Sequence, residues 1–159
     1  MPRINSLTGV TIMSTGFETA SVRMEPFLQI TVLAPPEDVD RIMAAVVRIV
    51  PLVMGKYDNN AFVSASGIER YRPLQGAAAG PEKEVRQRPG VVAVMFEIAR
   101  DPALLNQIVE AIFQIHSYQE PLITVQEVLA SRSKGMDDSK NPHRWWNTTG
   151  DWKKASKAV

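Results

Sequence analysis

Residues able to do chemistry are few in this sequence, and they gather in two places. The first is the run His116-Ser117-Tyr118-Gln119-Glu120-Pro121. An imidazole and a carboxylate this close in the chain can offer one nitrogen and one oxygen to a divalent metal, which makes His116 and Glu120 the candidate metal ligands. His116, Tyr118 and Glu120 are also groups that can act as acid and base. A plainer use of His116 and Tyr118 is to stitch a turn by hydrogen bonds and to pack at a subunit contact. His143 is the only other histidine, so a His-rich site would need a second subunit or the C-terminal tail.

The second place is Arg70-Tyr71-Arg72. On an extended strand, positions i and i+2 point to the same side, so the two guanidiniums suit two oxygens of a phosphate or carboxylate. Lys56, with Gly55 and Gly76, can line the same cleft. Solvated loop charges, or a salt bridge to a neighbouring subunit, use the same residues equally well. Neither a Walker-type glycine loop nor a dinucleotide fingerprint is present. Glu82, Lys83, Glu84, Arg86 and Arg88 alternate in sign, as a solvated loop tip does. The chain has no cysteine, which removes disulfides, thiolate nucleophiles and Cys-based zinc or iron–sulfur sites.

The elements that position these residues follow from periodicity. Residues 27–33, FLQITVL, predict a strand ended by Ala-Pro-Pro. Pro36, Glu37 and Asp38 then suit a first helical turn, where acidic side chains offset exposed N–H groups. Val39, Ile42, Met43, Val46, Val47 and Val50 make one apolar stripe, and Pro51 stops it. Residues 55–64 predict a turn and a strand. Residues 65–90, rich in glycine and proline, predict a long loop, which in a compact domain is usually functional. The run 91–99, VVAVMFEIA, predicts a buried strand. Asp101 caps a second helix with Pro102 at its first position, and Leu104, Leu105, Ile108, Ile112 and Ile115 form its apolar face. Residues 122–129 predict a last strand. The order β-α-β-loop-β-α-β is a ferredoxin-like split βαβ, an α+β fold with one antiparallel sheet and both helices on one face. Such a sheet leaves its other face bare, and a second subunit commonly covers it.

Composition agrees. A chain of 159 residues with 45% hydrophobic and 22% charged content is globular and about one domain long. No apolar run approaches the roughly 20 residues of a membrane helix. Net charge is +1, which argues against nucleic acid as the main partner. From Ser131 onward seven basic residues stand against three acidic ones, so the tail carries +4 and the remainder −3. That tail holds Trp145, Trp146 and Trp152, which are costly to leave in water and point to docking. The expected organisation is an N-terminal extension at 1–25, disordered in expectation, a domain at 26–130, and a basic Trp-rich tail at 131–159. With no export signal and no cysteine, a cytoplasmic location is the expectation.

The stretches GKYDNNAF at 55–62 and GIERYRPLQG at 67–76 resemble the small domain found inserted in, or standing apart from, YqfO-like proteins. There a Gly-x-Tyr-Asp strand leads to an aromatic-Arg-Pro-Leu-x-Gly loop. HSYQEP at 116–121 resembles the His-Pro-Tyr-Glu-x-Pro turn shared by that domain and by CutA proteins. Both belong to the PII-like superfamily of ferredoxin-like folds that assemble as trimers. The resemblance covers about residues 27–130. Ser117 and Gln119 depart from it, replacing proline and glutamate, and the neutral 122–125 run lacks the family's acidic residue.

The resemblance implies a homotrimeric binding or regulatory protein rather than an enzyme. A small anionic ligand, a nucleotide among the candidates, would lie between subunits, with the 65–90 loop as the effector element. Arg70, Arg72, Lys56, Gly55, Gly76 and Tyr118 are the expected ligand contacts, and no catalytic residue is assigned. The CutA side of the resemblance implies instead a divalent metal, copper or zinc, at His116 and Glu120. A third expectation is an accessory subunit anchored to a larger enzyme by the Trp-rich tail.

Overall fold

Alternation of apolar residues along the strands decides which side of the sheet the helices cover. The structure, a computed structural model, describes residues 15–148. In chain order its main elements are β1 (Phe17–Glu18), β2 (Val22–Ala34), α1 (Val39–Ile49), β3 (Phe62–Val63), β4 (Gly67–Tyr71), β5 (Arg86–Ala99), α2 (Pro102–Ile115) and β6 (Ile123–Ser133). In β2, Leu28, Ile30, Val32 and Ala34 are buried; in β5, Val92, Val94, Phe96 and Ile98 are. A period of two puts each set on one face. There they meet Ile42 and Val46 of α1 and Ile108 and Ile112 of α2 in a single core.

The sheet runs β6-β2-β5, with β3 and β4 in succession on the outer edge of β5 and β1 beside the start of β2. Every pairing is antiparallel. This is the expected α+β split βαβ, and its chain order matches. The other face carries Gln29 and Thr31 of β2, Met95 and Glu97 of β5, and Thr124 and Gln126 of β6, with no element of the described chain packed as a layer over it. At its lower end the Arg132 guanidinium stands 4.2 Å from the centre of the Phe27 ring and 3.5 Å from Glu97.

Both helices begin and end as their sequences require. A 3-10 turn, Pro36–Asp38, leads into α1, and Val50 leaves it in an extended conformation ahead of Pro51. Asp101 caps α2, its carboxylate accepting from the N–H groups of Ala103 and Leu104 at 2.9 and 3.3 Å. Asp101→Ala removes both bonds. It is expected to lower the unfolding free energy by about 1 kcal/mol, seen as a lower urea midpoint at unchanged slope.

Three expectations are corrected. The segment 65–90 is not one loop: β4 and the first part of β5 pair as a hairpin from Tyr71↔Arg86 to Gly67↔Val91, leaving only 72–85 as connection. These strands are exposed on both faces, so they lack the apolar alternation by which a strand is recognised. Pro89 and Gly90 fall where the register shifts, and Gly90 has φ +86, so residues that look like loop breakers build a bulge inside a strand. The first core strand starts at Val22 and the last runs to Ser133, paired along Val22↔Ser133 to Val32↔Ile123. Part of the expected N-terminal extension and the first three residues of the expected tail therefore lie in the sheet. The strand expected in 55–64 shrinks to Phe62–Val63. Before it, the Asn60 side-chain amide bonds the carbonyls of Leu52 and Tyr57, folding 52–60 as a compact loop. Trp152 and Lys153, Lys154 and Lys157 lie outside the described residues. No described helix is long and apolar enough to cross a membrane.

Candidate functional site

At the end of the sheet where β2 finishes, the turn after α2 meets the start of α1 and the base of the β4–β5 hairpin. His116 follows α2 in an extended conformation and is nearly buried. The backbone N–H of Tyr118 donates to its Nδ1 at 3.0 Å, so that nitrogen holds a lone pair. The proton then sits on Nε2, which donates to the Leu33 carbonyl at 2.8 Å. Both ring nitrogens are thus used inside this chain. Glu120, the other expected metal ligand, is exposed. Among the described residues no group of three or more His, Cys, Asp or Glu side chains is arranged to hold a metal ion.

Asp38 is the residue that reading the sequence missed. The sequence marks it only as an acid of a first helical turn, yet it has no accessible surface. One carboxylate oxygen accepts from the Ser117 backbone N–H at 2.8 Å and from the Ser117 hydroxyl. The other pairs with Arg41, whose Nε also donates to the Ile115 carbonyl at 2.7 Å. His116 Nδ1 lies 3.7 Å away. Burial alone would push the Asp38 carboxyl up. The Ser117 hydrogen bonds and the charge of Arg41 outweigh it and hold the group below its ordinary value. Spacing carried no signal, since Asp38 and Ser117 are 79 positions apart.

The next two residues of the turn face the hairpin. Tyr118 packs edge-on against His116, ring centres 4.8 Å apart, and the Arg88 guanidinium lies 5.0 Å from the Tyr118 ring centre. Arg88 is also 5.9 Å from the centre of the Tyr71 ring, so one cation stands between two tyrosines. The Tyr118 hydroxyl is buried and makes no well-formed hydrogen bond among the described residues, with Arg88 and Glu69 close by. Burial raises its pKa; Arg88 nearby opposes the rise and Glu69 adds to it. Gln119 clamps the 72–85 connection: its Oε1 accepts from the Ala78 N–H at 2.9 Å and its Nε2 donates to the Gly76 carbonyl at 3.4 Å. Gly76 itself has φ +94, a conformation that favours glycine.

Of the expected ligand residues, Tyr118, Gly76, Arg70 and Arg72 come to this end of the molecule. Their arrangement differs from the expected one. Register places Glu69 opposite Arg88 and Tyr71 opposite Arg86 on one face of the hairpin, and Arg70 opposite Gln87 on the other. Arg70 therefore points away from Tyr118, and Arg72 lies just past the end of β4. Arg88 is the arginine at Tyr118. Arg86 instead pairs with Glu82, the two Nε and Oε2 atoms 2.7 Å apart, within what was expected to be a solvated loop tip. Gly55 and Lys56 are not brought to this end. They sit in the turn bridged by Met54 and Tyr57, before β3. β5 pairs with Phe62 at Met95 and with Arg70 at Gln87, a strand span of about 26 Å at ~3.3 Å per residue. A cavity of about 240 Å³ opens at that far end between Met54, Phe62, Met95 and Arg132.

No family model matches the chain, and no curated protein matches it. Solved structures do. A Bacillus cereus protein related to NIF3 superposes with a TM-score of 0.55 at 17% identity, over 79% of this chain and 32% of that one. The chain thus spans about a third of that protein's length. CutA1 from Ehrlichia chaffeensis gives a TM-score of 0.46 at 15% identity, over 72% of this chain and 87% of that one. CPII, a nitrogen regulatory PII-like protein from Thiomonas intermedia K12, gives 0.43 at 10% identity, over 69% and 97%. At these identities the likeness is one of fold. The strand order, with the two helices on one face of the antiparallel sheet, makes this an α+β ferredoxin-like fold.

Proposed function

We propose that this chain is a PII-like binding and regulatory module, assembled as a homotrimer, that holds a small anionic ligand at the hairpin base and uses the hairpin as its effector element. The observation that carries the reading is the Tyr71–Arg88–Tyr118 junction. There a guanidinium lies between two aromatic rings beside a buried hydroxyl that makes no well-formed hydrogen bond. A buried hydroxyl in that state is costly, and a ligand oxygen bound by Arg88 is placed to relieve that cost. Arg70 and Arg72 add positive charge to the other face and tip of the hairpin, where a neighbouring subunit could share them. The bare face of the sheet is the surface available for assembly.

Two measurements test this. Light scattering after gel filtration is expected to give three times 17.6 kDa. A monomer would remove the clefts between subunits and the proposal with them. Thermal-shift screening against adenine nucleotides and bicarbonate is expected to raise the melting temperature, since a ligand at 100 times its Kd stabilises by about 2.7 kcal/mol. The rise is expected to vanish in Arg88→Ala; equal responses in both proteins would show that the junction is not the site.

The CutA-like alternative, copper or zinc at His116 and Glu120, requires His116 to give up one of its two hydrogen bonds. Calorimetric titration decides it: loss of metal affinity in His116→Ala supports the alternative, and unchanged affinity ends it. Anchoring to a larger enzyme rests on Trp145 and Trp146, which remain 64% and 50% exposed. A truncation that tests it should begin after Gly135, because Lys134 bonds the Ser21 and Thr19 carbonyls and pairs with Glu18.

A further inference from the structure

We infer that Asp38 is the positioning residue of this site, one buried carboxylate that sets where Tyr118 and, through Gln119, the 76–78 segment stand. This rests on the reading above that the hairpin base is the ligand site.

Ser117 is the only residue between His116 and Tyr118, and both of its donors end on the same Asp38 oxygen. With His116 bonded to the Leu33 carbonyl and Ser117 to Asp38, the turn leaves α2 in one direction only. That direction carries the Tyr118 ring to Arg88 and the Gln119 amide to Gly76 and Ala78. The connection 72–85 has its own bonds, including Glu82 N–H to the Pro73 carbonyl. Its hydrogen bonds to the helical layer, among the described residues, are those made by Gln119. Asp38 therefore ties the start of α1 to the end of α2, and the adjoining Tyr118 and Gln119 carry that tie to the hairpin and its connection.

The chemistry requires a carboxylate. Asp38 accepts from Ser117 at one oxygen and from Arg41 at the other. Asparagine has a single acceptor, so its amide N–H groups would face either the Ser117 donors or the Arg41 guanidinium. The charged groups facing Asp38 are Arg41 on its own helix and, when protonated, His116 from the turn.

The test is residue-resolved hydrogen exchange by NMR on the full chain without ligand, so it stands or falls apart from the ligand reading. In Asp38→Asn the Ala78 amide is expected to exchange about tenfold faster, reaching the rate seen in Gln119→Ala, where its acceptor is gone. Amides of the core positions Val46 and Ile112 are expected to keep their wild-type rates. Unchanged protection at Ala78 would overturn the inference. Equal acceleration at Ala78, Val46 and Ile112 would also overturn it, by reducing Asp38 to general stability. If Asp38→Asn does not fold, Ser117→Ala, which deletes only the hydroxyl donor, is read by the same criteria with a smaller acceleration at Ala78.

Discussion

Ile112→Ala is expected to lower the unfolding free energy by about 2–5 kcal/mol, a fall in melting temperature of roughly 4–20 °C. Ile112 has no accessible surface and sits on the face of α2 that meets the sheet, within the same core as Ile30, Ile42 and Ile108. Truncation removes three carbons of apolar burial and leaves a cavity bounded by a helix and a sheet, neither of which can close on it freely. The value falls in the upper part of the range if the cavity persists and in the lower part if Ile108 and Val94 relax inward. Phe113, the next residue, is 49% exposed and is the internal control. Phe113→Ala in the isolated protomer is expected to cost less than half as much. Equal losses at the two positions would mean that α2 is rotated from the orientation described.

Acid should remove a specific part of the stability. The Asp38 carboxyl is held below its ordinary value of 3.8 in the folded protein, so the unfolded chain takes up this proton first. The contribution is therefore complete above about pH 4–5 and is lost as pH falls through the folded value. Asp38→Asn cannot titrate. Urea unfolding of the two proteins between pH 6 and pH 2 is expected to show a gap in free energy that is widest at pH 6 and narrows steadily below pH 4. Glu18 and Asp137 are also held low, by Lys134 and by Ser139 respectively. Both are present in each protein, so the difference cancels them. A gap that stays constant to pH 2 would show that Asp38 acts by shape and not by charge.

Most of the core could be read from the chain. The stripe from Val39 to Val50 and the face from Leu104 to Ile115 both line the core, because a helix that buries one face must repeat apolar residues at 3.6. Asp101 and Pro102 marked the start of α2 for a local reason, the unsatisfied N–H groups of a first turn. The hairpin was not readable in this way. Its residues bury little, so nothing in Arg86, Gln87, Arg88, Pro89 and Gly90 distinguishes a ladder from a loop until the partner strand is in place.

The sequence by itself determined the two helices and the split βαβ order, which rest on local periodicity, and its short motif drew attention to the 116–121 turn. Tertiary structure alone decided which side chains meet at that turn. Asp38 reaches Ser117, Gln119 reaches Gly76 and Ala78, and Arg88 rather than Arg70 faces Tyr118. Each of these contacts joins segments far apart in the chain. Strand register, which places alternate residues on opposite faces, selects between arginines that look equivalent in one dimension.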